Sequence, residues 1–181
     1  MTSLNSKKSL SIIVLAVLVV GVLAFQFMNH TGPFKNNGSQ SSNSTNIKGK
    51  EKVHVDRVVD GDTFVATNSE GKEIKVRLIG IDTPETVKPN TPVQPYGKEA
   101  SNYSKQHLNG KDVYLEYDKE KEDRYGRTLA YVWLNENTMY NEELVKNGLA
   151  REKYFSPNGK YRHLFEKDEQ QAKKDKVNLW S

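Results

Sequence analysis

The chain has 181 residues, of which 35% are hydrophobic and 28% are charged, a composition typical of one soluble domain with an added segment. It contains no cysteine, which excludes disulfides, thiolate zinc sites and cysteine nucleophiles, so a bound metal would need oxygen ligands. The formal net charge is +4, but residues 1–52 hold six lysines and one glutamate, which leaves 21 basic against 22 acidic residues in the remainder. Net charge therefore does not identify residues 53–181 as a nucleic-acid binder.

An apolar segment lies near the N-terminus. Residues 10–28 are interrupted only by Ser11, Gly21 and Gln26, and as a helix these 19 residues would cover about 28 Å, close to the roughly 30 Å of a bilayer core. Lys7 and Lys8 precede the segment and favour a cytoplasmic N-terminus. We therefore predict that residues 1–28 are a single-pass membrane anchor with an extracellular C-terminal domain. The alternative is a cleaved signal peptide and a secreted protein.

The next residues are rich in Asn, Ser and Gly, with little to bury, and residues 29–52 are predicted to be a flexible linker. Residues 53–181 remain as one folded domain. Its predicted elements, in chain order, are strands 53–59, 63–66 and 74–78, helix 98–108, strands 112–118 and 128–134, and helices 142–147 and 161–176. Asn141 is predicted to cap the second helix and Gly148 to end it.

Three strands, a helix and two further strands follow the order of an OB-type five-stranded Greek-key β-barrel, whose loops commonly contact nucleic acids or sugars. We predict this α+β fold with three helices. The order alone is weak support, because many α+β domains share it and a fold does not determine a function.

Charged residues stand at the ends of the predicted strands. Alternation places Arg77 on the face opposite the core residues, and Asp82 follows at the strand exit. If Asp62 and Asp82 met there, the two carboxylates would repel each other unless a cation such as Ca²⁺ lay between them. The ordinary alternative is that both aspartates bond to the backbone of their turns.

Six segments together resemble the thermonuclease family, the staphylococcal nuclease-like proteins. They are DGDT, RLIGIDTPE, YGKEAS, DRYGRTLAYVW, ELVKNGLA and NLW, in this order over nearly all of residues 53–181. With its apolar N-terminal segment, the chain is most similar to the membrane-anchored members. The resemblance implies the OB-type barrel and a Ca²⁺-dependent phosphodiesterase that acts on DNA and RNA, with single strands preferred. It also implies cleavage of the bond to the 5′ oxygen, which leaves 3′-phosphate ends.

Carried over by position, the resemblance assigns three groups of residues. The metal ligands are Asp62, Asp82 and the carbonyl oxygen of Thr83. The catalytic positions are Arg77, Glu85 and Arg127, and the substrate-binding positions are Arg124, Tyr125 and Tyr154. The two tyrosines could equally be half-buried residues that cover the mouth of the barrel.

The sequence departs from the family pattern at three places. Asn90 and Thr91 stand where lysines are frequent, and Arg124 replaces a lysine. The segment between residues 150 and 157 is one residue shorter than usual, so it leaves open whether Phe155 takes an aromatic contact.

The resemblance indicates no protein partner, and a monomer is predicted. A non-catalytic binding module on the same barrel is the alternative from another class, but such a module would have no use for this set of acids and arginines.

Overall fold

A computed structural model describes residues 47–86, 92 and 94–181 of the chain. The predicted anchor, residues 1–28, and most of the predicted linker lie outside the described residues. Within the described part, no helix combines the length and the apolar character needed to cross a membrane.

Five strands close into a barrel in the order β1-β2-β3-β6-β5. Four neighbouring pairs are antiparallel, whereas β3 runs parallel to β6. The bounds of the barrel strands are β1 Glu51–Asp60, β2 Thr63–Asn68, β3 Glu73–Leu78, β5 Asp112–Glu116 and β6 Thr128–Trp133. Two short strands, β4 (Ile81–Asp82) and β7 (Arg151–Glu152), form a separate sheet.

Three helices accompany the barrel in the described residues, which confirms the predicted OB-type barrel with three helices. They are α1 Gly97–Leu108, α2 Tyr140–Lys146 and α3 Arg162–Lys174, and a 3-10 helix, Asn178–Trp180, follows them. The buried side chains of the strands and helices form one hydrophobic core.

The first strand begins at Glu51, so the predicted linker, residues 29–52, extends two residues too far. Lys52 pairs with Tyr114 of β5 in the barrel, and its ammonium group lies 2.8 Å from the carboxylate of Asp112. The upstream residue Ile47 is also buried. Polar composition suggested a linker here because the residues that cover Glu51 and Lys52 lie about 60 positions away in sequence.

The predicted cap of α2 is wrong. The helix begins at Tyr140 with Met139 before it, and no side chain caps its first turn. Asn141 is fully buried and accepts a hydrogen bond from the backbone amide of Val132 at 2.8 Å. It also donates to the carbonyl of Ile79 at 2.9 Å. The side chain therefore joins α2 to β6 and to the residue after β3, which a local capping rule does not detect.

Two connections bring the functional segments together at one end of the barrel. Thr63 at the start of β2 is the register partner of Arg77, near the end of β3. The backbone amide of Leu78 donates to the carbonyl of Asp62 at 2.9 Å. The β1–β2 turn and the exit of β3 are consequently neighbours.

Candidate active site

Arg77 lies between the two predicted carboxylate ligands. Its Nη2 atom is 3.1 Å from Oδ2 of Asp62 and 3.0 Å from Oδ1 of Asp82. Its Nη1 atom donates to the carbonyls of Leu78 and Ile81, the latter at 3.1 Å. The side chain is only 11% exposed, so Arg77 is held in place and is not a solvated strand residue. Both carboxylates converge on one nitrogen, on the same side of the barrel end.

Asp62 is held by hydroxyl and amide donors as well. Its Oδ2 atom accepts from the backbone amide of Thr83 at 3.0 Å and from the Thr83 hydroxyl at 3.1 Å. Its Oδ1 atom accepts from the Thr63 hydroxyl at 3.0 Å. The preceding residue, Gly61, is tightly packed against Thr83, because a Cβ added at Gly61 would lie 2.7 Å from Oγ1 of Thr83. The turn therefore fixes the carboxylate of Asp62 against the segment that follows β4.

A cleft of about 450 Å³, here called the acidic cleft, contains six of the predicted residues. They are Asp62, Arg77, Asp82, Thr83, Glu85 and Arg127, and Asp60 also lines it. Asp82 is 54% exposed, yet burial against the protein raises the pKa of its carboxyl; Arg77 opposes this effect, and the charges of Asp62 and Glu85 add to it. The cleft concentrates negative charge that a bound cation would offset.

The donor set fits a calcium ion. It offers the carboxylates of Asp62 and Asp82 and the carbonyl oxygen of Thr83, and Ca²⁺ takes oxygen ligands from side chains, backbone and water. In the part of the chain that the structure describes, no three acidic or histidine side chains form a metal-binding group. Two protein carboxylates leave coordination positions for water and for phosphate oxygens, as a catalytic site requires.

Sequence reasoning missed Asp60. This residue is 8% exposed, and its Oδ1 atom accepts from the backbone amide of Gly61 at 2.8 Å and from the Thr86 hydroxyl at 2.6 Å. Burial raises the pKa of the Asp60 carboxyl, and these hydrogen bonds act against the increase. Asp60 ties the residues just after Glu85 to the β1–β2 turn. The DGDT motif contained the signal, since two acids flank its glycine.

Glu85 is positioned through its backbone. Its amide donates to Oε1 of Gln94 at 3.0 Å, and the amide of Gln94 donates to the carbonyl of Glu85 at 3.0 Å. This reciprocal pair closes the base of the loop between the two residues. Glu85 thus enters the acidic cleft from a fixed point of the chain.

Arg127 is oriented by Asp123, which sequence reasoning did not identify. Its Nε atom donates to Oδ2 of Asp123 at 2.7 Å. Oδ1 of the same carboxylate accepts from the backbone amides of Tyr125 and Arg127 at 2.9 and 3.0 Å. One carboxylate therefore shapes the turn and aligns the guanidinium. The only sequence signal was an aspartate four residues before the arginine.

A second cleft of about 500 Å³, here called the aromatic cleft, adjoins the first. Arg77, Arg127 and Phe155 line both, and Arg124 and Tyr125 line the second alone. Tyr125 is 67% exposed and lies beneath the Arg124 guanidinium, 4.8 Å from ring centroid to Cζ. The two predicted substrate-binding residues Arg124 and Tyr125 are thus next to the acidic cleft.

Tyr154 lies apart from these residues. It lines neither cleft, and its ring packs toward Gly159 and under the Arg162 guanidinium at 4.7 Å. Phe155, which is 52% exposed, lines both clefts instead. Phe155, not Tyr154, therefore lines the clefts together with Arg77 and Arg127.

A buried hydrogen-bond chain supports the turn from behind. The hydroxyl of Tyr140 in α2 donates to Oγ of Ser104 in α1 at 2.8 Å. The hydroxyl of Ser104 donates to the carbonyl of Gly61 at 2.6 Å. Tyr140 and Ser104 are fully buried, so this chain connects two helices to the turn that carries Asp62.

Comparison with known proteins finds one family over most of the chain. The profile described as "Staphylococcal nuclease homologue" matches residues 75–181. The chain is 51% identical over 175 residues to the thermonuclease of Staphylococcus hyicus, an alignment that covers 97% of this chain and 99% of that protein. It is 52% identical over 174 residues to the thermonuclease of Staphylococcus intermedius, with 96% and 98% covered. It is also 46% identical over 140 residues to endonuclease YncB of Bacillus subtilis, with 76% of this chain and 65% of that protein covered.

Proposed function

Because this chain belongs to the staphylococcal nuclease homologue family, we propose that its acidic cleft hydrolyses phosphodiester bonds in DNA and RNA with little sequence preference. Family membership confirms the predicted resemblance and the predicted class of enzyme, a calcium-dependent nuclease. The individual roles of the residues, cleavage of the bond to the 5′ oxygen and the resulting 3′-phosphate ends are parts of the proposal.

Arg77 and Arg127 form the phosphate clamp. A phosphodiester is an anion, and charge builds on its equatorial oxygens in the transition state. Guanidinium groups donate paired hydrogen bonds to such oxygens and stay protonated at any working pH. Asp123 holds Arg127 through Nε, so its two terminal nitrogens can donate to phosphate. Nη2 of Arg77 contacts Asp62 and Asp82, and it would be free to donate to phosphate if these two carboxylates held a calcium ion instead.

Asp62, Asp82 and the carbonyl oxygen of Thr83 are the residues that would hold the calcium ion. When bound, calcium supplies positive charge that offsets the phosphate and the attacking oxygen. Glu85 orients the attacking water and takes its proton, a contribution that is typically about 10²- to 10⁴-fold in rate. The water oxygen bonds to phosphorus as the bond to the 5′ oxygen breaks, and the departing alkoxide takes a proton from solvent.

The aromatic cleft favours single strands. Tyr125 and Phe155 are exposed beside the arginines, and a base can stack on such rings only when it is unpaired. Arg124 adds a positive charge at the same place. We expect faster cleavage of single-stranded DNA than of duplex DNA, and equal rates under matched conditions would contradict this preference.

The observation that carries the proposal is the convergence of Asp62 and Asp82 on Arg77 in a cleft that Glu85 and Arg127 also line. The first experiment measures cleavage of single-stranded DNA by the full chain, with a calcium chelator and after Ca²⁺ is restored. Activity should vanish and return. Undiminished cleavage in chelator would reject the calcium role, and binding without cleavage in calcium would support the binding-module alternative.

The second experiment replaces Glu85 by Gln. Loss of the proton acceptor should lower kcat by about 10²-fold or more, within the range of general-base catalysis. Glu70→Gln is the matched control, since Glu70 is an exposed residue of the β2–β3 turn and lines neither cleft. A near-normal kcat in Glu85→Gln would remove Glu85 from the mechanism.

We also propose that residues 1–28 tether the protein to the cell membrane with the nuclease domain outside. The apolar length of this segment and the two lysines before it support the anchor. Mass spectrometry of the N-terminus from the membrane fraction tests it, because a start near Phe25 would mean signal-peptide cleavage and secretion.

A monomer is proposed as well. In the described residues, the exposed large hydrophobic side chains are Tyr125, Tyr154 and Phe155. Tyr125 and Phe155 line the clefts, and Tyr154 packs under the guanidinium of Arg162. Sedimentation equilibrium of the purified chain would reveal a dimer if this proposal is wrong.

A further inference from the structure

A third groove, of about 240 Å³, lies along helix α1 and shares no lining residue with the aromatic cleft. It is here called the α1 groove, and its lining residues are Val59, Thr86, Lys98, Ser101, Asn102 and Lys105. Val59 lines both the α1 groove and the acidic cleft, so the two depressions adjoin each other. The acidic and aromatic clefts are continuous through Arg77, Arg127 and Phe155. The three depressions therefore form one track across the end of the barrel.

Two lysines of the α1 groove, Lys98 and Lys105, are the residues that carry its charge. Lys98 and Lys105 are seven residues apart, so they share one face of α1 about 10 Å apart along the helix axis. Both are exposed, and Asn102 lies between them on the same face. Among the described residues, neither ammonium group lies within 4.0 Å of a carboxylate.

Some other lysines of the described residues are paired with carboxylates, whereas others, such as Lys167 and Lys174, lie in no ion pair among those residues. Lys146 and Lys173 each pair with a glutamate one helical turn earlier. Lys50 and Lys160, which line a separate pocket beside Trp133, both contact Glu116. What distinguishes Lys98 and Lys105 from the other unpaired lysines is their position, since both line a groove that shares Val59 with the acidic cleft.

A strand longer than a dinucleotide must extend beyond the scissile phosphate. On one side, the aromatic cleft receives it. Within the acidic cleft, Asp60 and Glu85 repel phosphates and Lys75 attracts them. The adjoining α1 groove adds two further cationic groups, Lys98 and Lys105.

We propose that the α1 groove is an extended substrate subsite, in which Lys98, Lys105 and Asn102 bind the backbone phosphates of the nucleic-acid strand on the side away from Tyr125. This inference rests on the proposed function. It assigns to α1 a role in holding long strands, separate from the chemistry at the scissile bond. Contacts to phosphate carry no sequence information, in keeping with a nuclease of low sequence preference.

The test is binding of single-stranded DNA to the Glu85→Gln full chain, in calcium, so that no cleavage is required. One ligand is an oligonucleotide long enough to reach from Tyr125 to Lys105, and the other is a dinucleotide. The double change Lys98→Ala and Lys105→Ala should reduce the ratio of long-strand to dinucleotide affinity about tenfold at low salt. It should also lower the slope of log affinity against log salt by about 1.4, since each phosphate contact on a single strand contributes about 0.7.

Lys167→Ala with Lys174→Ala is the matched control. These lysines are also exposed, also seven residues apart and also on one helix, α3, but they line none of the three depressions. The control should leave the affinity ratio unchanged, and Lys98→Arg with Lys105→Arg should restore it. Thermal unfolding of each variant establishes that the fold is intact.

An equal decrease of the affinity ratio in the α1 and α3 variants would overturn the subsite, because the loss of any two positive charges on the protein would then explain the effect. An unchanged ratio and salt slope in the α1 variant would overturn it as well. Failure of the proposed function has a different signature, namely absence of cleavage by the wild-type chain in calcium, whatever the outcome of the binding measurement.

Discussion

Asp123 provides the sharpest test of how the turn before β6 prepares the phosphate clamp. In Asp123→Asn, the amide oxygen can still accept from the backbone amides of Tyr125 and Arg127. The Oδ2 acceptor, however, is replaced by an NH₂ group that faces Nε–H of Arg127, so two donors meet. The variant therefore removes the alignment of the guanidinium while it retains the turn.

The magnitude follows from this one contact. The hydrogen bond from Arg127 to Asp123 is 2.7 Å long and joins two charged groups, and the Asp123 side chain is 16% exposed. Hydrogen bonds to charged groups contribute about 1.5 to 3 kcal/mol. If Arg127 must be realigned at that cost in each transition state, kcat should fall about ten- to about a hundredfold, since about 1.4 kcal/mol corresponds to a factor of ten.

The same contact predicts a change in acid stability. Burial alone would raise the pKa of Asp123, but hydrogen bonds from Arg127 and Tyr125 outweigh it, and the folded-state pKa lies below the ordinary value. A depressed pKa adds stability that is complete above the unfolded value of about 3.9 and is lost as the pH falls through the lower folded value. Asp123→Asn should lack this component, so its stability should fall less steeply below about pH 4.

The assays are steady-state cleavage of single-stranded DNA in saturating calcium and urea unfolding from neutral to acid pH. Asp56→Asn is the control, because Asp56 is an exposed aspartate of β1 that accepts from the Thr67 hydroxyl at 2.9 Å and lines neither cleft. A wild-type kcat in Asp123→Asn would show that Arg127 does not need this carboxylate, and the proposal that Asp123 aligns Arg127 for phosphate binding would be wrong.

Two further predictions concern contacts behind the site. Tyr140→Phe removes the donor to Ser104 and should lower the free energy of unfolding by about 1 kcal/mol, the usual net value of a hydrogen bond. Because Ser104 donates to the carbonyl of Gly61, the calcium concentration that gives half-maximal activity should also rise several-fold. An unchanged calcium titration would refute this connection. Gly148→Ala should destabilise the fold by at least about 1 to 2 kcal/mol, the cost of a left-handed conformation for a residue with a Cβ. Gly148 has φ of +59°, and an added Cβ would lie 2.3 Å from the carbonyl oxygen of Val177, so a wild-type urea midpoint would contradict the geometry.

Local patterns explain how much of the fold could be predicted. Val76 and Leu78 are buried while Lys75 is exposed, as period-2 alternation requires. The strands and helices were predictable because burial of one face imposes a repeat that can be read within a few residues. Asn141 was misassigned for the complementary reason, since its partners, Val132 and Ile79, lie 9 and 62 residues away.

For the site, the sequence by itself determined the chemical inventory: carboxylates, arginines and a glutamate in ordered motifs, with no cysteine to offer a different chemistry. The tertiary structure decided which of these groups act on one another. Hydrogen bonds across 21 residues attach Thr83 to Asp62, and Phe155 rather than Tyr154 lies beside the arginines. Periodicity encodes which face of an element is buried, but contacts between side chains distant in sequence depend on how the barrel closes.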